Sequence, residues 1–70
     1  MKPLTPQQRR VVVLLVGGLG YKRIAAGMGI SERTVKLHVK RAAHHLPGEG
    51  SPRTKLLVWA PVLLALPNAA

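Results

Sequence analysis

The sequence predicts a small all-α domain of four helices. Three observations carry that class. Apolar residues recur at three- and four-residue spacing in three separate segments, and a fourth, from Leu56, is a continuous apolar run. Gly and Pro fall between those segments, and small hydroxyl residues stand just ahead of three of them. Within residues 20 to 41, GYKRIAAGMGISERTVKLHVKR, two short helical patterns meet at Gly29. That is helix-turn-helix spacing, in which the second helix enters the major groove of DNA. The expected organisation is one domain over residues 1–66, with helices at about 6–16, 21–28, 32–46 and 52–60, followed by a tail at 67–70.

The first helix opens at Thr5-Pro6-Gln7-Gln8. Thr5 caps, Pro6 suits the first helical position, and Gln8 reaches back to the Thr5 amide as a capping box. Val11, Val12, Leu14 and Leu15 form its apolar stripe with Val16 beside them, and Gly17-Gly18 end it. The second helix is short, with Ile24, Ala25 and Met28 inward. Gly27 costs it about 1 kcal/mol relative to alanine, which tight packing among helices could offset. Gly29 takes the turn, Ile30 plugs the gap behind it, and Ser31 caps the third helix with Glu32 in its first turn. The third helix turns Val35, Val39, Ala42 and Leu46 inward and ends before Pro47. Residues 47 to 52, PGEGSP, read as a loop, and Ser51-Pro52 repeats the start signal for a fourth helix. Pro61 should kink or end that helix, leaving 61 to 66, PVLLAL, as one more turn or an extended segment.

Charge points to the partner. Lys and Arg number 11 against the two acids Glu32 and Glu49, a formal net charge of +9 in 70 residues. Such an excess selects nucleic acid or an anionic membrane surface. A hydrophobic fraction of 47% provides a core and argues against a disordered basic tail. Tyr21 and Trp59 are the only aromatics, too few for the stacking platforms that single strands require. Groove reading by a helix needs none. The third helix carries Arg33, Lys36, Lys40 and Arg41 opposite its apolar stripe with one acid, whereas a merely solvated helix mixes signs.

Other classes fare worse. There is no cysteine, hence no disulfide and no thiolate metal site. His38, His44 and His45 raise zinc, but the first gap of six does not make helical neighbours and no acid lies nearby. His44 and His45 near a helix C-terminus suit its dipole better. No paired carboxylates, no nucleophile with a base and no phosphate-cradling glycine loop suggest catalysis, so neither enzyme activity nor a cofactor is expected. The start, MKPLTPQQRR, lacks the apolar core of a signal peptide. The uncharged run Leu56 to Leu66 has eleven residues, where a bilayer span takes about 20. A cationic membrane-active peptide would place its cations and apolar residues on one amphipathic helix, whereas here they lie apart, and no membrane partner is expected.

The stretch LTPQQRRVVVLLVGGLGYKRIAAGMGISERTVKLHVKRAAHHL resembles the four-helix DNA-binding domain of LuxR-type (GerE-like) transcriptional regulators. The matching positions are Leu4-Thr5, Gly18-Leu19, Lys22, Ile24-Ala25, Gly29-Ile30-Ser31 and Thr34-Val35-Lys36-Leu37-His38-Val39, with Arg53-Thr54 at the start of the fourth helix. Gln8, Arg10 and Arg23 stand where that pattern usually has acids, and the loop from Leu46 to Arg53 is longer. Short stand-alone versions look like those of bacteriophage and mobile elements, and the sequence shows no receiver or ligand-binding segment.

The resemblance implies a transcriptional regulator of bacterial nucleoid or phage-infected cell, with double-stranded DNA as its partner. It turns Lys36, Leu37 and Lys40 toward base edges, the lysines suited to guanine and Leu37 to a thymine methyl; the plainer alternative is that the lysines touch only phosphates. Lys22, Arg33, Thr34, His38 and Arg41 hold the backbone. Ser31 is a cap and a candidate phosphate donor, and Arg53, Thr54 and Lys55 lie at a helix N-terminus that favours an anion or is simply solvated. The resemblance also implies a homodimer through the fourth helix, with Leu56, Trp59 and Leu63 in the contact. Alternatively the tail folds back over the monomer core, or the apolar surface binds a polymerase, a repressor or a host factor.

Overall fold

A computed structural model of the protein describes residues 2–68. Met1 and, in the expected tail, Ala69 and Ala70 lie outside the described residues. The described chain is four helices without a strand: α1 (Pro6–Val16), α2 (Tyr21–Met28), α3 (Glu32–Ala43) and α4 (Pro52–Ala65). The expected small all-α architecture with a helix-turn-helix is the one found. α3 is its hub and packs against the other three helices, and α1 packs against α4 as well.

Local chemistry sets the boundaries. The Thr5 hydroxyl accepts from the Gln8 amide at 3.2 Å, and the Thr5 amide donates to Gln8 Oε1 at 3.1 Å, completing the capping box ahead of Pro6. Gly18, at φ 89°, closes α1 in a left-handed turn. Its amide reaches the Leu15 carbonyl at 2.9 Å and the Leu19 amide reaches that of Leu14 at 3.2 Å. Val11, Val12 and Leu15 point into the core, Leu14 is half-buried, and Val13 and Val16 face out. Leu4, just ahead of the cap, is also buried.

Three expectations need correction. α3 ends at Ala43 instead of Leu46: the His44 amide bonds to the Arg41 carbonyl and the Leu46 amide to that of Ala43, three-residue bonds that tighten the last turn. Leu46 is nevertheless buried, held by that turn ahead of Pro47. α4 runs through Pro61 to Ala65. Proline removes the bond to the carbonyl four residues back, here that of Leu57, and both residues lie on the exposed side, where water can take the carbonyl's bond. Gly27 is not a close-packing position, since a Cβ built there meets nothing within 4 Å.

The apolar tail folds back on the monomer. Leu56, Ala60 and Leu63 form one stripe at helical spacing and fill the core. Arg9 completes that docking: its guanidinium donates to the Leu64 carbonyl at 3.0 Å and the Leu66 carbonyl at 3.4 Å, satisfying orphan acceptors where a positive charge also suits the dipole.

Candidate nucleic-acid interface

The turn between α2 and α3 is pinned at both ends. Gly29 stands at φ 69°, ψ 31°, the left-handed region that a side chain rarely adopts. The Ile30 amide reaches back to the Ala25 carbonyl at 3.0 Å, and the Gly29 amide to that of Ala26 at 3.4 Å. On the other side the Ser31 hydroxyl accepts from the Thr34 amide at 3.1 Å and pairs with the Thr34 hydroxyl at 2.9 Å. Ile24 and Ala25 of α2 are buried together with Val35, Val39, Ala42 and Ala43 of α3. These contacts fix the rotation of α3 about its own axis.

That rotation decides which residues face out. With about 100° per residue, the side of α3 opposite its buried stripe carries Arg33, Leu37, Lys40 and Arg41, all exposed. Leu37 lies near the centre of this side and is 42% exposed, with Arg33 and Arg41 four residues to either side of it. Lys36 is exposed on one flank, and Thr34 and His38 are half-buried on the other. Glu32 at the first turn and Lys40 and Arg41 in the last complement the helix dipole. The sequence-predicted residues of α3 thus share one cationic surface.

The remaining predicted contacts are placed differently. Lys22 is exposed in the first turn of α2. Arg53 is half-buried, its guanidinium 3.5 Å from the Leu19 carbonyl and 5.2 Å from the centre of the Tyr21 ring. It ties the start of α4 to the start of α2 by a hydrogen bond and a cation–π contact. The Ser51 hydroxyl accepts from the Thr54 amide at 3.2 Å and pairs with the Thr54 hydroxyl at 3.0 Å, so both are already partnered as a cap; Lys55 is half-buried.

The predicted dimer contact must be revised. Leu56 is 0% and Leu63 is 1% exposed, so both belong to the core and offer nothing to a second copy. Trp59 is half-buried, with its indole N–H donating to the Pro47 carbonyl at 3.3 Å. The outward arc of α4 is formed instead by Leu57, Val58, Pro61, Val62 and Ala65. Sequence reasoning missed Arg9, because a basic residue in a first turn looks like a simple surface charge. The apolar residue directly before the Thr5 cap was the available signal for Leu4.

No helix among the described residues is long and apolar enough to cross a membrane. Among them, too, no three histidine, cysteine or acidic side chains gather as a metal site would require.

A short α2 joined by a glycine turn to a cationic, outward-facing α3 defines a helix-turn-helix DNA-binding domain. The family model for Sigma-70, region 4 matches residues 2–46, which span α1, α2 and α3. The protein belongs to the Sigma-70 region 4 family, a DNA-binding, non-enzymatic helix-turn-helix family of transcription. The LuxR-type resemblance holds as far as the helix-turn-helix that the two patterns share. α4 lies beyond the matched segment. No curated protein and no solved structure matches the chain.

Proposed function

We propose that the protein is a sequence-specific transcriptional regulator, bacterial or phage, that reads the major groove of duplex DNA with α3. The carrying observation is the outer side of α3, where one half-exposed leucine sits among exposed cations and the rotation of the helix is fixed by its buried stripe. Lys36 and Lys40 donate to guanine edges and Leu37 makes apolar contact with a thymine methyl, as the LuxR-type resemblance suggests. Arg33, Arg41, Thr34 and His38 border that surface and hold phosphates, and Lys22 extends the contact to α2. Ser31 supports this surface as the cap of α3, while the start of α4 is left outside it, since the Arg53 guanidinium, the Thr54 hydroxyl and the Thr54 and Lys55 amides are already bonded within the fold.

The test is selection of bound sequences from a random duplex pool, with wild type beside Lys36→Ala/Lys40→Ala. The expected outcome is a defined motif for the wild type, lost in the double variant. Loss of two phosphate contacts alone would leave the motif and flatten the salt dependence by ~0.9 log units per contact. Enrichment of no motif by the wild type would reduce the reading to non-specific DNA binding.

A second reading concerns α4. Its outward arc is apolar from Leu57 to Ala65 on a chain of net charge +9. This favours a protein contact there, either a second copy bound to a repeated DNA site or a polymerase, repressor or host factor.

A further inference from the structure

A cleft of about 490 Å³ lies between the segment leading into α1 and the end of α3. It brings Lys2 beside Lys40, Arg41, His44 and His45, with no acid among its lining residues. Resting on the reading of α3 as a DNA-facing helix, we propose that this cleft holds the phosphodiester backbone of the same duplex, just outside the bases that α3 faces. Lys2, His44 and His45 are its additional contacts.

Three observations support it. The cleft is continuous with the outer side of α3, since Leu37, Lys40 and Arg41 belong to both. A strand running along α3 therefore meets the cleft without a change in protein shape. Next, Lys2 does not hang loose: Leu4 is 2% exposed and Thr5 is locked in the capping box, so the chain is anchored two residues away, with Pro3 between. Anchoring lowers the entropy that a lysine on an unstructured arm would lose on binding. Finally, the anion must be held by side chains. The C-terminus of α3 presents carbonyls and the negative end of its dipole, which repel phosphate. Lys2, Lys40 and Arg41 outweigh that field, and the exposed rings of His44 and His45, stacked edge to face at 5.0 Å, present N–H donors. Duplex DNA is favoured over an acidic peptide because the cleft opens onto the helix surface that DNA already covers.

The experiment titrates a duplex carrying the selected motif with full-length wild type, Lys2→Ala and His44→Ala/His45→Ala over a range of salt. A parallel series carries a single neutral methylphosphonate at each backbone position in turn. Lys2 and both histidines are exposed, and thermal melts verify that the variants stay folded. The expected result is weaker binding for both variants at every sequence alike, an unchanged selected motif, and a salt slope smaller by ~0.9 for Lys2→Ala. One methylphosphonate position flanking the motif should weaken wild type and leave Lys2→Ala indifferent. Wild-type affinity and slope in both variants, with every methylphosphonate affecting them as it affects wild type, would overturn the cleft while the α3 reading stands. Failure of the wild type to bind any duplex would overturn both.

Discussion

α3 and α4 begin alike. Ser31 and Ser51 each accept from an amide three residues on, at 3.1 and 3.2 Å, and each pairs with the hydroxyl of the threonine found there. Each helix then lays a stripe of small and branched apolar residues into the same core. They part on the outside. The outer arc of α3 is Arg33, Lys36, Leu37, Lys40 and Arg41, whereas that of α4 is Leu57, Val58, Pro61, Val62 and Ala65. Caps and inner stripes say how a helix is held. The outer arc says what comes to it: a polyanion at α3, an apolar surface at α4.

The comparison would fail first if the inner stripe of α4 were itself a contact between copies. Leu63→Ala should cost about 2–5 kcal/mol, a large part of the ~5–15 kcal/mol that holds a typical domain together. Urea melts at several protein concentrations measure it. A core residue gives the same loss at every concentration, and a subunit contact gives one that fades on dilution, where wild type dissociates as well. The first result is expected, because Leu63 is 1% exposed within the monomer, on a helix that packs against both α1 and α3.

The inner half of this molecule was largely legible in the sequence and the outer half of α4 was not. Thr5-Pro6-Gln7-Gln8, Gly18, Gly29 and Ser31 each fix a helix boundary by local chemistry, so their positions follow from residue type and spacing. The cationic side of α3 followed too, because one apolar stripe at helical spacing leaves a single outward side. α4 resisted because it is apolar all round: with no polar face, periodicity does not say which leucines are buried, and Leu56 and Leu63 turn into the core where the resemblance implies an outward contact. Its passage through Pro61 depends on that same orientation, since Leu57 and Pro61 both lie on the exposed side, where water can replace the bond that proline cannot make. The bonds from Arg9 to the Leu64 and Leu66 carbonyls join residues more than fifty positions apart, and no local pattern announces them.

The matched caps allow a sharper test. Ser31→Ala and Ser51→Ala should each cost about 1 kcal/mol of stability, with nearly equal shifts in urea midpoint, since the hydrogen bonds removed are alike. DNA affinity, measured where both variants remain folded, should separate them. Ser31→Ala loosens the first turn of the DNA-facing helix and weakens binding. Ser51→Ala should leave binding near wild type. An equal loss of affinity in the two would extend the DNA surface to the start of α4, where Thr54 and Lys55 lie, and would erase half of the contrast between the helices.

The smallest expected change in stability comes from giving α4 the charge of α3. Val58 is 68% exposed on the apolar arc, so Val58→Lys disturbs no packed group and should shift stability by less than about 0.5 kcal/mol. Its effect belongs to association. Two copies bound to neighbouring half-sites could bring these arcs together, where a lysine on each would place like charges in an apolar contact and leave them desolvated. On a duplex carrying two copies of the selected motif, wild type should bind cooperatively and Val58→Lys should fill the sites independently, with single-site affinity at least preserved by the added charge. Equal cooperativity in both proteins would remove α4 as the pairing surface. Independent filling by both would leave its apolar arc to a different protein, and Val58→Lys would then be the variant with which to look for that partner's loss.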